Sequence, residues 1–192
     1  MGAVDVWAQV ITERMAKQPW LAPLLRWSGR TNDDLLPSVE RTLQAMDEAG
    51  FDIALLSAWR GPEGELISND EVSRQIAAAP KRFRGLATVN LHNPTVAVRD
   101  IRRWVDGKTF VGVRIVPWLW DLPPNDRRYY PIYAACVDAG VPFCTQIGHT
   151  GRSGARRPGG SFLISKMCCS IFPSSWLSAA TSAFLGSTSS RR

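Results

Sequence analysis

Phe110-Val111-Gly112-Val113-Arg114-Ile115-Val116 is an apolar run of strand length with a single charge inside it, closed by Pro117. Helical patterns flank it on both sides. Upstream, Pro94 opens a stripe through Val98, Ile101 and Val105 at the 3.6-residue period. Downstream, Asp126 or Tyr129 leads into a helix through Ile132, Cys136 and Val137, which Gly140 closes. A continuous apolar strand between two helices is the repeating unit of a parallel sheet covered on both faces.

The same alternation runs outward in both directions. Val4 to Trp7 is a short apolar strand, and residues 10–34 look like an irregular excursion over one face. Pro37 to Ala49 reads as a helix with Ser38 as a partial N-cap and Gly50 at its C′ position. Phe51 to Leu56 is a strand; Asn69 or Asp70 caps a helix through Val72 and Ile76, stopped by Pro80; Phe83 to Val89 is a strand; Val141 to Ile147 is another. This makes five strands and four intervening helices in the first 150 residues, a repeat of about 30 residues. A doubly wound sheet and a β/α barrel both fit. No Gly-rich turn follows Val4 to Trp7, as a dinucleotide fold would require. The polar and aromatic residues instead follow successive strands: Trp59-Arg60, Asn90, Arg114 with Trp118 and Trp120, and Gln146 with His149. A barrel builds its site at those strand ends. The expected fold is therefore α/β, a partial (β/α)8 barrel of about five of the eight βα units, over residues 1–151, followed by an irregular tail over 152–192.

Composition narrows the function classes. Of 192 residues, 45% are hydrophobic and 21% charged, which is a globular composition. No apolar run approaches the length of a membrane span, and Met1 to Gln9 lack a basic leader region, so neither a membrane protein nor a secreted one is expected. The four cysteines lack zinc spacing, and a reducing, cytoplasmic compartment is the expectation. The net charge of +6 comes from the tail alone. Residues 1–150 hold 17 Lys/Arg and 17 Asp/Glu, whereas 151–192 hold six Lys/Arg and no acid, with 11 serines against five before them. A nucleic-acid partner is not expected, because the ordered part is neutral.

Several residues carry candidate chemistry. His149, in Gln146-Ile147-Gly148-His149-Thr150-Gly151, could bind a divalent metal or shuttle a proton, or be a loop histidine held by its neighbours. Arg114 could hold a substrate carboxylate through its fork, or form a structural pair with Asp5 or Asp121. Trp118 and Trp120, with Asn125 to Tyr130, could stack on a planar ligand or form a packed lid. Asn69 joins Trp118 and Trp120 as a substrate-binding candidate, while His92 reads as a surface or capping residue.

Taken together, Phe51-Asp52-Ile53-Ala54-Leu55-Leu56-Ser57, Asn69-Asp70-Glu71-Val72, Lys81-Arg82-Phe83-Arg84-Gly85, Gly112 to Trp118, Tyr130-Pro131-Ile132-Tyr133 and Gly140 to Gly151 resemble the amidohydrolase-related family. The branch is the one with aminocarboxymuconate-semialdehyde decarboxylase-like and resorcylate decarboxylase-like enzymes. The resemblance implies a distorted TIM barrel with a catalytic divalent metal, zinc or manganese. It implies a hydrolase or non-oxidative decarboxylase acting on a small cyclic or aromatic carboxylic acid, and a homodimer for a full-length form. It also implies His149 as metal ligand and catalytic residue beside Arg114. The family's first-strand Ile-Asp-x-His-x-His falls on Val4-Asp5-Val6-Trp7-Ala8-Gln9, so Trp7 and Gln9 replace two ligands and weaken the expected metal site. A non-catalytic barrel that has lost its metal site is the alternative.

The tail has a second reading. With synonymous codons chosen freely and read from their third base, Ser161 to Ser190 can encode Ile-Pro-Tyr-Leu-Glu-Asp-Val-Leu-Leu-Asp-Phe-Pro-Glu-Leu-Val-Val-Val-Gly-Gly-His-Ile-Gly-Phe-Pro-Trp-Ile-Asp-Glu. That string has an amphipathic helix, an apolar strand and a histidine after it. An insertion or deletion near codons 151–157 is therefore expected, leaving this chain inactive as it stands. Resequencing the coding DNA across codons 145–200 checks it, and a clean read without an indel overturns it.

Overall fold

A computed structural model describes residues 2–31, 38–147 and 177–181. Six parallel strands form one sheet in the order β1-β2-β5-β6-β7-β8: β1 (Ala3–Ala8), β2 (Phe51–Ser57), β5 (Phe83–Ala87), β6 (Phe110–Ile115), β7 (Phe143–Ile147) and β8 (Leu177–Thr181). Helices α3 (Val39–Ala49), α4 (Asn69–Ala78), α5 (Pro94–Trp104) and α7 (Tyr130–Asp138) connect successive strands of the sheet from β1 to β7. The excursion after β1 contains two short helices, α1 (Glu13–Ala16) and α2 (Leu21–Ser28).

Local chemistry sets the helix ends. Ser38 caps α3 by accepting the Arg41 N–H, and Gly50 ends it at φ 73°, a left-handed conformation that costs a glycine nothing. In α4 the cap is Ser68 rather than Asn69 or Asp70. Glu71, three residues on, reaches back to the Ser68 N–H while the Ser68 hydroxyl accepts from Glu71, so two orphan donors are satisfied together.

Buried side chains form two clusters on the helix-covered outer face of the sheet. Ala54, Leu56 and Phe83 meet Met46, Val72 and Ile76 of α3 and α4, while Val113, Ile115 and Phe143 meet Ile101, Ile132 and Tyr133 of α5 and α7. The opposite faces of β1, β2 and β6 converge. The Trp7 ring on β1 touches Arg114 on β6 although β2 and β5 lie between them. Flat strands spaced about 4.8 Å apart would hold β1 and β6 some 14 Å apart. The sheet is therefore curled into a partial, open barrel, with β1 and β8 at its edges. On β1, the face opposite Trp7 leaves Val4 44% and Val6 52% exposed.

Gly112 lets β6 and β7 approach. A Cβ there would lie 2.8 Å from the Pro142 carbonyl oxygen and 3.0 Å from Leu86 Cδ2. Because one of those neighbours is backbone, Gly112→Ala is expected to lower stability by about 1–3 kcal/mol, read as a fall in the urea midpoint.

Two features depart from the sequence expectation. An antiparallel hairpin, β3 (Trp59–Gly61) with β4 (Gly64–Ile67), fills the connection before α4. Its strands are too short to show a period. Within the tail expected to be irregular, Leu177–Thr181 forms a sixth strand paired in register with β7, Phe143 opposite Leu177 through Ile147 opposite Thr181. The segment carries no charge, so its backbone can complete the open ladder of β7 without placing an ion at the sheet. The remainder of 152–192 lies outside the described residues.

Candidate functional site

Arg114 sits at the carboxyl end of β6 on the inner face of the curled sheet. It is fully buried, at 0% exposure. Its Nη1 donates to Ser57 Oγ at 2.5 Å, across from β2. Its Nε and Nη2 are buried and have no hydrogen-bond partner among the described residues. Those two nitrogens form the side-on edge that pairs with a carboxylate through two parallel bonds. Neither Asp5 nor Asp121 is in ion-pair contact with it among the described residues, so the structural pair that an acid could have supplied is replaced by the Ser57 hydroxyl. Burial pulls the guanidinium pKa down to about 9, and the Cys144 and Asp5 charges pull the other way. At neutral pH it remains a cation.

Aromatic rings enclose that cation. Its Cζ lies 3.1 Å from the Trp7 ring centroid and 4.9 Å from that of Trp59. Trp20 stacks on Trp59 at 6.1 Å and meets Trp118 edge-on at 4.9 Å. Trp118, in the short helix α6 (Pro117–Trp120), donates its Nε1 hydrogen to Gln146 Oε1 at 2.7 Å, tying α6 to the end of β7. The indole nitrogens of Trp20 and Trp59 are buried without an acceptor. The cluster thus holds a cation with two unpartnered donors of its own, a combination that calls for an anion.

Trp7 owes its position to an irregularity. Between the pairs Asp5–Ala54 and Ala8–Leu56, β1 uses one residue more than β2. Asp5 Oδ1 accepts the Trp7 N–H at 2.9 Å, satisfying a group the ladder leaves out. Such bulges turn a side chain out of its regular direction.

The other candidates separate. Trp120 is 5% exposed and packs with Leu91, Ile115 and Tyr129, with His92 edge-on at 5.1 Å, so it belongs to the outer core rather than to the Arg114 cluster. His92 is exposed on the surface, where its ring meets Trp120, and the cap of α5 is Asn93. The Asn69 amide is engaged in both directions by Thr88: its Nδ2 donates to the Thr88 carbonyl at 3.0 Å and its Oδ1 accepts the Thr88 N–H at 2.9 Å. It clamps the start of α4 to the chain leaving β5. His149 lies outside the described residues. Ser57, Trp20 and Trp59 complete the cluster; the signal that could have found Ser57 is the need of a charge in an apolar strand for a polar partner on a neighbouring strand.

Among the described residues no three His, Cys, Asp or Glu side chains come together to hold a metal ion. At the first-strand positions Trp7 offers an indole without a lone pair for a metal, and Gln9 offers a neutral amide whose Oε1 is buried and unpartnered. A guanidinium already stacked on Trp7 would repel a second cation there. The described residues do not fit a divalent metal.

An open parallel barrel with its polar and aromatic groups gathered at strand ends defines a β/α-barrel protein of the kind that works at its carboxyl-terminal mouth. The sequence profile of the amidohydrolase family matches residues 62–181, more than half of the chain, and the chain belongs to that family. It is 28% identical over 130 residues to a gamma-resorcylate decarboxylase of Polaromonas sp. (strain JS666 / ATCC BAA-500), an alignment spanning 57% of this chain and 39% of that protein. Its fold is similar to that of a 2,6-dihydroxybenzoate decarboxylase from Rhizobium, with TM-score 0.67 and 20% identity over 94% of this chain and 66% of the other. It is also similar to a dihydroxybenzoic acid decarboxylase from Polaromonas sp. JS666 with bound manganese and 2-nitroresorcinol, with TM-score 0.64 and 20% identity over 94% and 64%. The chain thus spans less than half the length of that curated relative. Among the described residues no helix is long and apolar enough to cross a membrane.

Proposed function

We propose that this barrel derives from a carboxy-lyase or hydrolase of small cyclic or aromatic carboxylic acids, and that the chain keeps the acid-binding part of that site. The observation that carries this reading is the unpaired Nε–Nη2 edge of Arg114 within a wall of indoles. A carboxylate on that edge would satisfy both orphan nitrogens, and an attached ring would lie among Trp7, Trp59 and Trp118. Decarboxylases named for aromatic acids among the relatives agree with that chemistry.

Holding a carboxylate in the ground state orients it and does not by itself speed its loss. Arg114 is therefore the binding group, and a second group must deliver the proton that replaces carbon dioxide on the ring. His149, next along the chain after β7, is assigned that role here. A small-molecule partner, a cytoplasmic location and a homodimer of the longer form belong to the same proposal.

The test compares two proteins on 2,6-dihydroxybenzoate, following carbon dioxide release. The 192-residue chain is expected to give no turnover, and a version with the reading frame restored after codon 151 is expected to turn over. No turnover by the restored protein, with ligand binding intact, favours the second reading, a binding barrel without catalysis; Trp7 and Gln9 at the first-strand positions are the observation behind it.

A further inference from the structure

We propose that the cationic centre of this barrel mouth is the Arg114 guanidinium beneath the Trp7 indole, and that it binds the carboxylate of a small planar acid without any divalent metal. The inference rests on the reading above that the ligand is a carboxylic acid held by Arg114, and adds that this binding needs no divalent metal.

Three observations lead to it. The guanidinium is fully buried and no acid is in ion-pair contact with it among the described residues, which leaves its Nε and Nη2 without an acceptor. Ser57 occupies Nη1 and so fixes which edge is offered: Nε with Nη2, spaced for two carboxylate oxygens. Trp7 lies on the face of the same cation at 3.1 Å, held there by a bulge and the Asp5 side chain.

Trp7 is also the cover. It is only half-buried and sits on an edge strand, whereas Arg114 beneath it is sealed. A ligand reaches the guanidinium by displacing or sliding beside the indole. The carboxylate pairs in the plane of the guanidinium, beside the cation–π contact on its face, and brings the ligand against the Trp7 ring. Indole fluorescence reports that approach directly.

The experiment titrates the EDTA-treated 192-residue chain with benzoate, following tryptophan fluorescence, with and without added Zn²⁺ or Mn²⁺. A saturable change is expected, with a dissociation constant that the metals alter by less than about twofold. Methyl benzoate, which lacks the charge, is expected to bind at least about tenfold more weakly, and so is benzoate to Arg114→Lys, which keeps the charge and loses the fork. Far-UV circular dichroism checks that the variant keeps its fold, and the metal comparison on the unaltered chain needs no variant. Benzoate binding that appears only with metal, equal binding of the ester, equal binding by a folded Arg114→Lys, or no benzoate binding at all would each overturn the inference. Benzoate binding without turnover in the frame-restored protein defeats the catalytic reading alone. Metal-dependent binding with turnover defeats this inference alone.

Discussion

Arg114→Met is expected to make the fold more stable while removing its affinity for carboxylates. The guanidinium is 0% exposed, holds one hydrogen bond to Ser57 and leaves two nitrogens unsatisfied. Stacking against Trp7 and Trp59 offsets part of its desolvation, by about 2 kcal/mol for a buried cation–π contact. The remaining cost is larger, since a buried ion loses several kcal/mol of hydration. Its pKa agrees in sign. Burial holds it at about 9, below the ordinary arginine value, so the protonated form opposes folding throughout the neutral range. That penalty is relieved only as pH rises above about 9. A methionine is shorter but unbranched and flexible, fills part of the same space and makes sulfur–aromatic contacts with the indoles. The expected gain is about 1–4 kcal/mol, read as a higher urea midpoint at unchanged slope. A lower midpoint would show that ring stacking and the Ser57 bond outweigh desolvation.

Asn69→Ala is expected to act in the opposite sense. The Thr88 N–H and carbonyl both bond to the Asn69 amide, and both residues are buried. Removing the amide orphans two backbone groups at once, at roughly 1–3 kcal/mol each. A loss of about 2–5 kcal/mol follows, with benzoate affinity unchanged in the protein that remains folded. A stable Asn69→Ala protein with weakened benzoate binding would instead make Asn69 a ligand contact.

The βα repeats were legible because strands and helices write different periods into the chain. Phe110 to Ile115 is unbroken apolar sequence apart from Arg114, while Pro94 to Trp104 repeats its apolar residues at helical spacing. The hairpin of Trp59–Gly61 and Gly64–Ile67 was not legible, because three or four residues cannot establish a period. Leu177–Thr181 was hidden by the Ser-rich segment around it.

The site divides along a similar line. Arg114 and Trp118 stand out locally, one as a charge in an apolar run and the other as a ring just past a strand end. What the sequence did not disclose is that Trp7 lies on Arg114 and that Ser57 binds it. Both contacts depend on the curl that brings β1 toward β6, and no local pattern records sheet curvature. Asn69 shows a related difficulty: a polar side chain after a strand can serve a ligand or the backbone, and its bonds to Thr88 join residues that no local pattern pairs.

The main sheet places its strands in space in the same order in which they occur along the chain, β1 beside β2, then β5, β6, β7 and β8. During synthesis, each strand leaving the ribosome therefore meets an edge that its predecessor has just completed, and no strand has to be inserted between two that are already paired. From β2 to β7 each loop closure joins strands that are consecutive in the sheet, which keeps its entropic cost low. Growth of this kind resembles the stacking of repeats in a solenoid more than the collapse of a sandwich. Nascent chains arrested after β5, β6 or β7 should accordingly gain protease resistance in increments, strand by strand, rather than in a single late step.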